Sequence, residues 1–152
     1  MFLVKKILRY SYMDLTSAEL LERIIGKIAA LQSKGEGCFD VGLFPAQRVN
    51  RSIGYVRPDT TVFFTAVVVF TLQKIKSKLP KKAQQQVEVM EEKALKTYPL
   101  FRNKDGLKTY NFWKTRPSNH FPNGYLFRRF EHFRIPDDVD DTAMIYLTSS
   151  PT

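Results

Sequence analysis

The run Val62, Phe63, Phe64, Thr65, Ala66, Val67, Val68, Val69 and Phe70 limits the folds open to this chain more than any other stretch. It is apolar on nearly every side, so an element built from it has no face to give to water. Its β-branched residues favour a strand. Its length, with the continuation Leu72, Gln73, Lys74, Ile75 and Lys76, favours a helix, and Pro58, Asp59, Thr60 and Thr61 supply a start signal. The expectation is a fully buried inner helix over residues 59–78. A chain of 152 residues that is 43% hydrophobic can bury one.

Two further helices flank that run. Over residues 14–33, Thr16 and Glu19 match a capping box, and Gly35 can end the helix. Leu20, Leu21, Ile24, Ile25, Ile28 and Leu31 form one stripe, as in a surface helix packed on a core. Over residues 81–98, Ala83, Val87, Met90, Ala94 and Tyr98 make a narrower stripe that Pro99 stops. Glu92 and Lys96 attract there at i,i+4, by about 0.3 kcal/mol. A helix buried all round, followed by one buried on a single edge, reads as the inner and outer members of an α/α hairpin. Residues 35–58 show no clear periodicity. The fold class expected is all-α.

Residues 99–134 are a long segment of little helical period. It carries Phe101, Tyr110, Phe112, Trp113, Phe121, Tyr125, Phe127, Phe130 and Phe133, interleaved with arginines. Two roles fit: the aromatics plug one end of a helical core, or they form a binding surface. His120 and His132 lack metal-ligand spacing.

The net charge is +9, but Lys and Arg are spread along the chain. Specific nucleic-acid binding is therefore not expected, and peripheral contact with an anionic membrane stays open. The single cysteine, Cys38, rules out an internal disulfide. The longest apolar stretch falls short of the roughly 18–20 residues a membrane span needs. At the N-terminus the charges follow a short apolar run, the reverse of signal-peptide order. A soluble, cytoplasmic protein is expected.

Chemistry concentrates near the C-terminus, where Asp137, Asp138, Asp140 and Asp141 surround Val139 and lead into an apolar run. On a helix these acids share an arc of roughly 160°. Such crowding opposes full ionisation and would suit a general acid. The structural alternative is an N-cap at Asp137 with Asp140 in the first turn, which offsets the helix dipole by about 0.3–1 kcal/mol per carboxylate. An internal repeat bears on the choice. Residues 62–69 align with 139–146, placing Thr65 and Ala66 on Thr142 and Ala143, and each copy follows a Pro-Asp pair. Phe63 and Phe64 stand where the second copy has Asp140 and Asp141. A helix start of this type therefore does not require the acids.

Residues 138–143, Asp-Val-Asp-Asp-Thr-Ala, resemble the Asp-x-Asp-Asp-Thr-Ala signature of class II terpene cyclases, including squalene–hopene cyclases and copalyl diphosphate synthases. Residues 31–39 resemble a degenerate Gln…Gly…Trp repeat of the same enzymes, with Phe39 in the Trp place, and residues 106–113 are a weaker echo. The resemblance implies a partial α/α toroid of helical hairpins, as one domain or as part of a larger toroid. It implies a protein that cyclises a polyprenyl substrate by protonation. Asp140 would be the acid and Asp138 and Asp141 its supports, with Trp113, Phe112, Tyr110 and Phe121 facing the apolar substrate. No cofactor is implied, although Asp137, Asp138 and Asp141 also fit the Asp-Asp-x-x-Asp pattern that holds Mg²⁺ against a diphosphate. No second acidic motif accompanies it. The other reading is a non-catalytic helical module that binds a protein or an apolar ligand.

Overall fold

The computed structural model describes residues 15–119 and 129–149. Among the described residues the fold has four helices and one small sheet: α1 (Ser17–Leu31), β1 (Ala46–Asn50), β2 (Tyr55–Asp59), α2 (Val62–Lys76), α3 (Lys81–Leu95) and α4 (Val139–Ser149). Three short 3-10 turns, at Arg51–Ile53, Tyr98–Phe101 and Glu131–Phe133, punctuate the connections.

The sheet corrects the all-α toroid expectation. β1 and β2 pair antiparallel, with Ala46 opposite Asp59 and Asn50 opposite Tyr55, inside the stretch that showed no periodicity. The Asn50 side chain accepts from Ser52 N–H at 3.1 Å, and Gly54 closes the turn at φ +64°. One side of the ribbon is partly covered: Ala46, Arg48, Tyr55, Arg57 and Asp59 are buried or half-buried and alternate with exposed Gln47, Val49, Val56 and Pro58, so mainly polar residues hold the inner positions and valines the outer ones. Pro58 is tolerated because β2 is an edge strand.

The helices form a row, with α1 against α3, α3 against α2, and α2 against α4. The capping box of α1 is present: Glu19 N–H donates to Thr16 Oγ1, and Glu19 Oε2 accepts from Thr16 N–H at 2.9 Å. The α1 stripe is buried only in part. Ile25 is enclosed, with Leu21, Ile28 and Ala29 packed beside it, while Leu20, Ile24 and Leu31 are exposed. On α3, Ala83, Val87, Met90 and Ala94 are all buried, and Lys96 Nζ meets Glu92 Oε1 at 2.6 Å. Tyr98 completes that stripe from the following 3-10 turn. Burial pushes its phenol up to about 12, against a hydrogen bond with Thr148 Oγ1 at 2.9 Å.

Residues 62–76 are helical, as length rather than β-propensity dictates. Burial is not all round: Val62, Thr65, Ala66, Val69 and Leu72 are enclosed, whereas Phe64 is 51% exposed. Two apolar clusters form the core. Ile25, Phe44, Leu72, Val87 and Met90 join α1, α2 and α3. Leu43, Val62, Ala66, Tyr98, Phe101 and Ile145 join α2, α4 and the turn after α3. Among the described residues no helix is long and apolar enough to cross a membrane.

Candidate functional site

α2 and α4 lie side by side and parallel. Their starts meet the same extended stretch, Thr61 bridging to Trp113 and Asp138 to Tyr110. Near their ends Gln73 Nε2 donates to the Thr148 carbonyl at 3.0 Å. The two helices begin at Val62 and Val139, the residues that open the two copies of the repeat. Residues 103–113 thus cross both helix starts, and the acids that precede the helices fasten them. Asp59 accepts from Trp113 Nε1 at 3.0 Å and from Arg48 at 2.9 Å. Asp137 accepts from Asn103 Nδ2 at 2.5 Å and from the Thr109 hydroxyl.

The four acids at the α4 start divide by role. Asp138, not Asp137, is the cap: its Oδ1 accepts from Asp140 N–H at 2.8 Å and Asp141 N–H at 3.3 Å, and its carbonyl accepts from Thr142 N–H at 3.1 Å. Asp140 is exposed. Asp141 is fully buried, on the face of α4 that carries Ile145 and Thr148 against the core. Neither of its carboxylate oxygens has a hydrogen-bond partner. Desolvation, reinforced by the charges of Asp138 and Asp140, pushes its pKa up to about 7. The Thr60 and Thr61 hydroxyls, at the start of α2, are likewise buried without a partner.

The aromatics expected to face a substrate separate. Trp113 is buried, edge-on to half-buried Phe112 at 5.5 Å between ring centres, with the Arg48 guanidinium 5.2 Å from its own ring. Tyr110 lies beside the acids: its N–H donates to Thr142 Oγ1 at 2.9 Å, and its ring meets Tyr146 edge-on at 6.2 Å. Phe121 and His120 lie outside the described residues. His132 is exposed and edge-on to Phe133. Asn103 and Asn111, absent from the sequence-level candidates, hold the crossing segment. Asn111 Nδ2 donates to the Ile135 carbonyl at 2.7 Å, while its Oδ1 accepts from Trp113 N–H at 3.1 Å. Nothing in local sequence marks an asparagine for such a long-range task.

A groove of about 340 Å³ runs beside the α4 start, lined by Thr109, Asp137, Asp138, Val139, Thr142 and Ala143. Another cavity, about 590 Å³, lies away from the acids among Cys38, Phe39, Pro58, Lys114, Asn119 and Arg129. The Asp-Asp-x-x-Asp residues do not fit Mg²⁺. Asp137 is held by Asn103 and Thr109, Asp138 caps the helix and Asp141 points into the core; among the described residues no three such ligands converge. Comparison with protein-family models, curated proteins and solved structures found no match for this chain.

Proposed function

We propose that this chain is a helical binding module whose α4 presents an apolar face to a partner. One observation carries this reading. Val139, Ala143, Tyr146 and Leu147, spaced i, i+4, i+7 and i+8, form a second apolar stripe on α4, opposite the buried one, with Val139 81% and Leu147 56% exposed. The groove along Thr109, Val139 and Ala143 extends this face. Asp137 and Asp138 are then explained by the fastening and capping they perform. We place the module in the cytoplasm, where its charge of +9 also favours peripheral contact with anionic membrane surfaces. The test is fluorescence of an apolar-surface dye with the folded chain. Enhancement that Leu147→Glu abolishes, with unchanged far-UV circular dichroism, supports the reading. No enhancement, or enhancement insensitive to that variant, overturns it.

A second reading follows from Asp141. A buried carboxyl without a partner adds nothing to packing that an apolar residue would not add better, and one titrating near 7 can carry a proton at neutral pH. On this reading the protein is terpene-cyclase-like, and Asp141 rather than exposed Asp140 is the acid. Its proton adds to a terminal alkene carbon or epoxide oxygen of a polyprenyl chain. The resulting cation is taken up by the next double bond, and loss of a proton ends the cascade. Such chemistry requires α4 to move aside, because a general acid must come within hydrogen-bond reach of the substrate. Incubation with squalene or geranylgeranyl diphosphate tests it. Cyclic product lost in Asp141→Asn supports it, and unchanged substrate overturns it.

A further inference from the structure

α1 closes the helix row at the end opposite α4, with α3 as its helical neighbour. Its core side is set by buried Ile25, with half-buried Leu21, Ile28 and Ala29 beside it. The opposite side of the helix is apolar as well. Ile24 and Leu31 lie within roughly 40° of Leu20 round the helix axis, whereas Ile25 is about 140° away. Leu20 is 50%, Ile24 44% and Leu31 67% exposed. Three large aliphatic side chains thus run along the outermost line of a terminal helix, where the fold offers them no cover.

Charge is sorted round the same helix. Lys27 falls within about 20° of Leu20 and Arg23 within about 60°, and both are exposed. The acids stand further off. Glu19, at about 100°, is turned back into the cap, accepting from the Thr16 N–H and hydroxyl. Glu22, at about 160°, reaches Lys82 at 3.7 Å across the seam with α3. On α3, Lys82 and Lys93 edge that seam, Glu92 beside it is paired with Lys96, and Glu88 and Glu91 face Lys76 of α2. Past the end of α1, exposed Lys34 and Glu36 offset one another.

The sequence leading into α1 has the same chemistry. Residues 1–14 lie outside the described ones; as sequence they hold Phe2, Leu3, Ile7 and Leu8 with Lys5, Lys6 and Arg9, and no acid before Asp14. Aliphatic side chains that need a non-aqueous cover, edged by Lys and Arg, match a surface that is apolar beneath and anionic on top. A bilayer with acidic headgroups is such a surface. At 15 residues, α1 is long enough to lie along it and too short to span it.

We infer that α1 is a membrane-surface helix: Leu20, Ile24 and Leu31 enter the headgroup region of an anionic bilayer while Arg23 and Lys27 meet its phosphates. The inference rests on the peripheral membrane contact proposed above, names the face that makes it, and does not depend on α4. Flotation of the full chain with vesicles tests it, using phosphatidylcholine alone and phosphatidylcholine mixed with phosphatidylserine. Binding to the mixed vesicles that weakens as salt rises, with little to phosphatidylcholine alone, is expected. Leu31→Gln should weaken it about tenfold, as losing most of a leucine's burial does. Lys27→Ala should weaken it about fivefold, the worth of one cation at such a surface. Both positions are exposed, far-UV circular dichroism checks the fold of each variant, and Ile24→Gln serves should Leu31→Gln fail to fold. Leu147→Gln, at the other end of the row, should leave binding unchanged. No binding to the mixed vesicles overturns the inference together with the membrane contact it rests on. Binding that none of the α1 variants weakens overturns α1 as the face and leaves the membrane contact standing on other residues. Equal binding to both kinds of vesicle overturns the anionic partner.

Discussion

Phe44 N–H donates to Thr65 Oγ1 at 3.0 Å, and the aligned Thr142 of the second repeat copy accepts from Tyr110 N–H at 2.9 Å. Each threonine sits one turn into its helix and captures the backbone of an incoming segment. Thr65→Val keeps the shape and removes the acceptor, leaving a buried N–H unpaired, which costs about 1–3 kcal/mol. Thr142→Val should cost less, because Thr142 is only half-buried. Chemical denaturation of both variants measures the difference, and equal costs would mean that burial does not govern these bonds.

The repeat, the α1 cap, the α3 stripe and the Glu92–Lys96 pair are local and were readable before any coordinates. What was not readable depends on which neighbour an element meets. α2 exposes Phe64 because α3 and α4 cover only part of its circumference. Asp141 aligns with Phe64 in the repeat, yet is enclosed, because α4 turns that position toward α2 and the core. The motif thus located the acids without telling which one is buried. The hairpin at Ala46–Asn50 and Tyr55–Asp59 was missed because its half-buried side carries Arg48, Tyr55 and Arg57 while Val49 and Val56 face outward, so the alternation in burial has no counterpart in hydropathy.

Asp141 makes stability depend on pH in the sense opposite to most carboxylates. Its folded pKa, about 7, lies above the unfolded value of 3.8, so the folded state holds a proton that the unfolded state releases. Its contribution is most favourable below the unfolded pKa. It is lost as pH rises from about 4 to 7, at up to about 1.4 kcal/mol per pH unit. Glu19, Glu36, Glu92 and Glu131, whose pKa values hydrogen bonds lower, act in the other direction, but they lie at the surface, where solvent screens the effect. Asp141→Asn isolates the effect: the stability difference between wild type and variant should shift toward the variant from pH 4 to 8. A difference that does not change with pH would show that Asp141 titrates normally.

Trp113 joins β2 to the crossing segment through its indole N–H and Asp59, both buried. Trp113→Phe keeps most of the ring packing and removes the donor. A loss of about 1–3 kcal/mol is expected, since a hydrogen bond to a charged group goes and ring volume is lost with it. Asp59→Ala also removes one partner of Arg48, but that side chain is 39% exposed and can turn to water, so little is added from that side. Trp113 is the single tryptophan of the chain, so its emission in Asp59→Ala reports the site directly. A red shift is expected as the ring loosens, and an unchanged spectrum would mean that Asp59 does not hold it.

Gly42 governs the joint between α1 and α3. Its φ is +100°, a region L side chains rarely adopt, and a Cβ built there would stand 2.3 Å from the Lys93 carbonyl oxygen. Its own carbonyl accepts from Gln32 Nε2 at 2.9 Å, and the same amide group also donates to the Met90 carbonyl at 2.9 Å. Gln32, buried at the end of α1, thus bridges this loop to α3. In Gly42→Ala, left-handed strain of about 1–3 kcal/mol adds to a clash with backbone that cannot swing away as a side-chain tip would. The loop must shift, and the Gln32 bridge stretches with it. Gln32→Leu separates the two contributions, since it removes the bridge and leaves the backbone unstrained. Gly42→Ala should therefore lower the melting temperature further than Gln32→Leu, and the reverse order would place the strength of this joint in the amide rather than in the close approach.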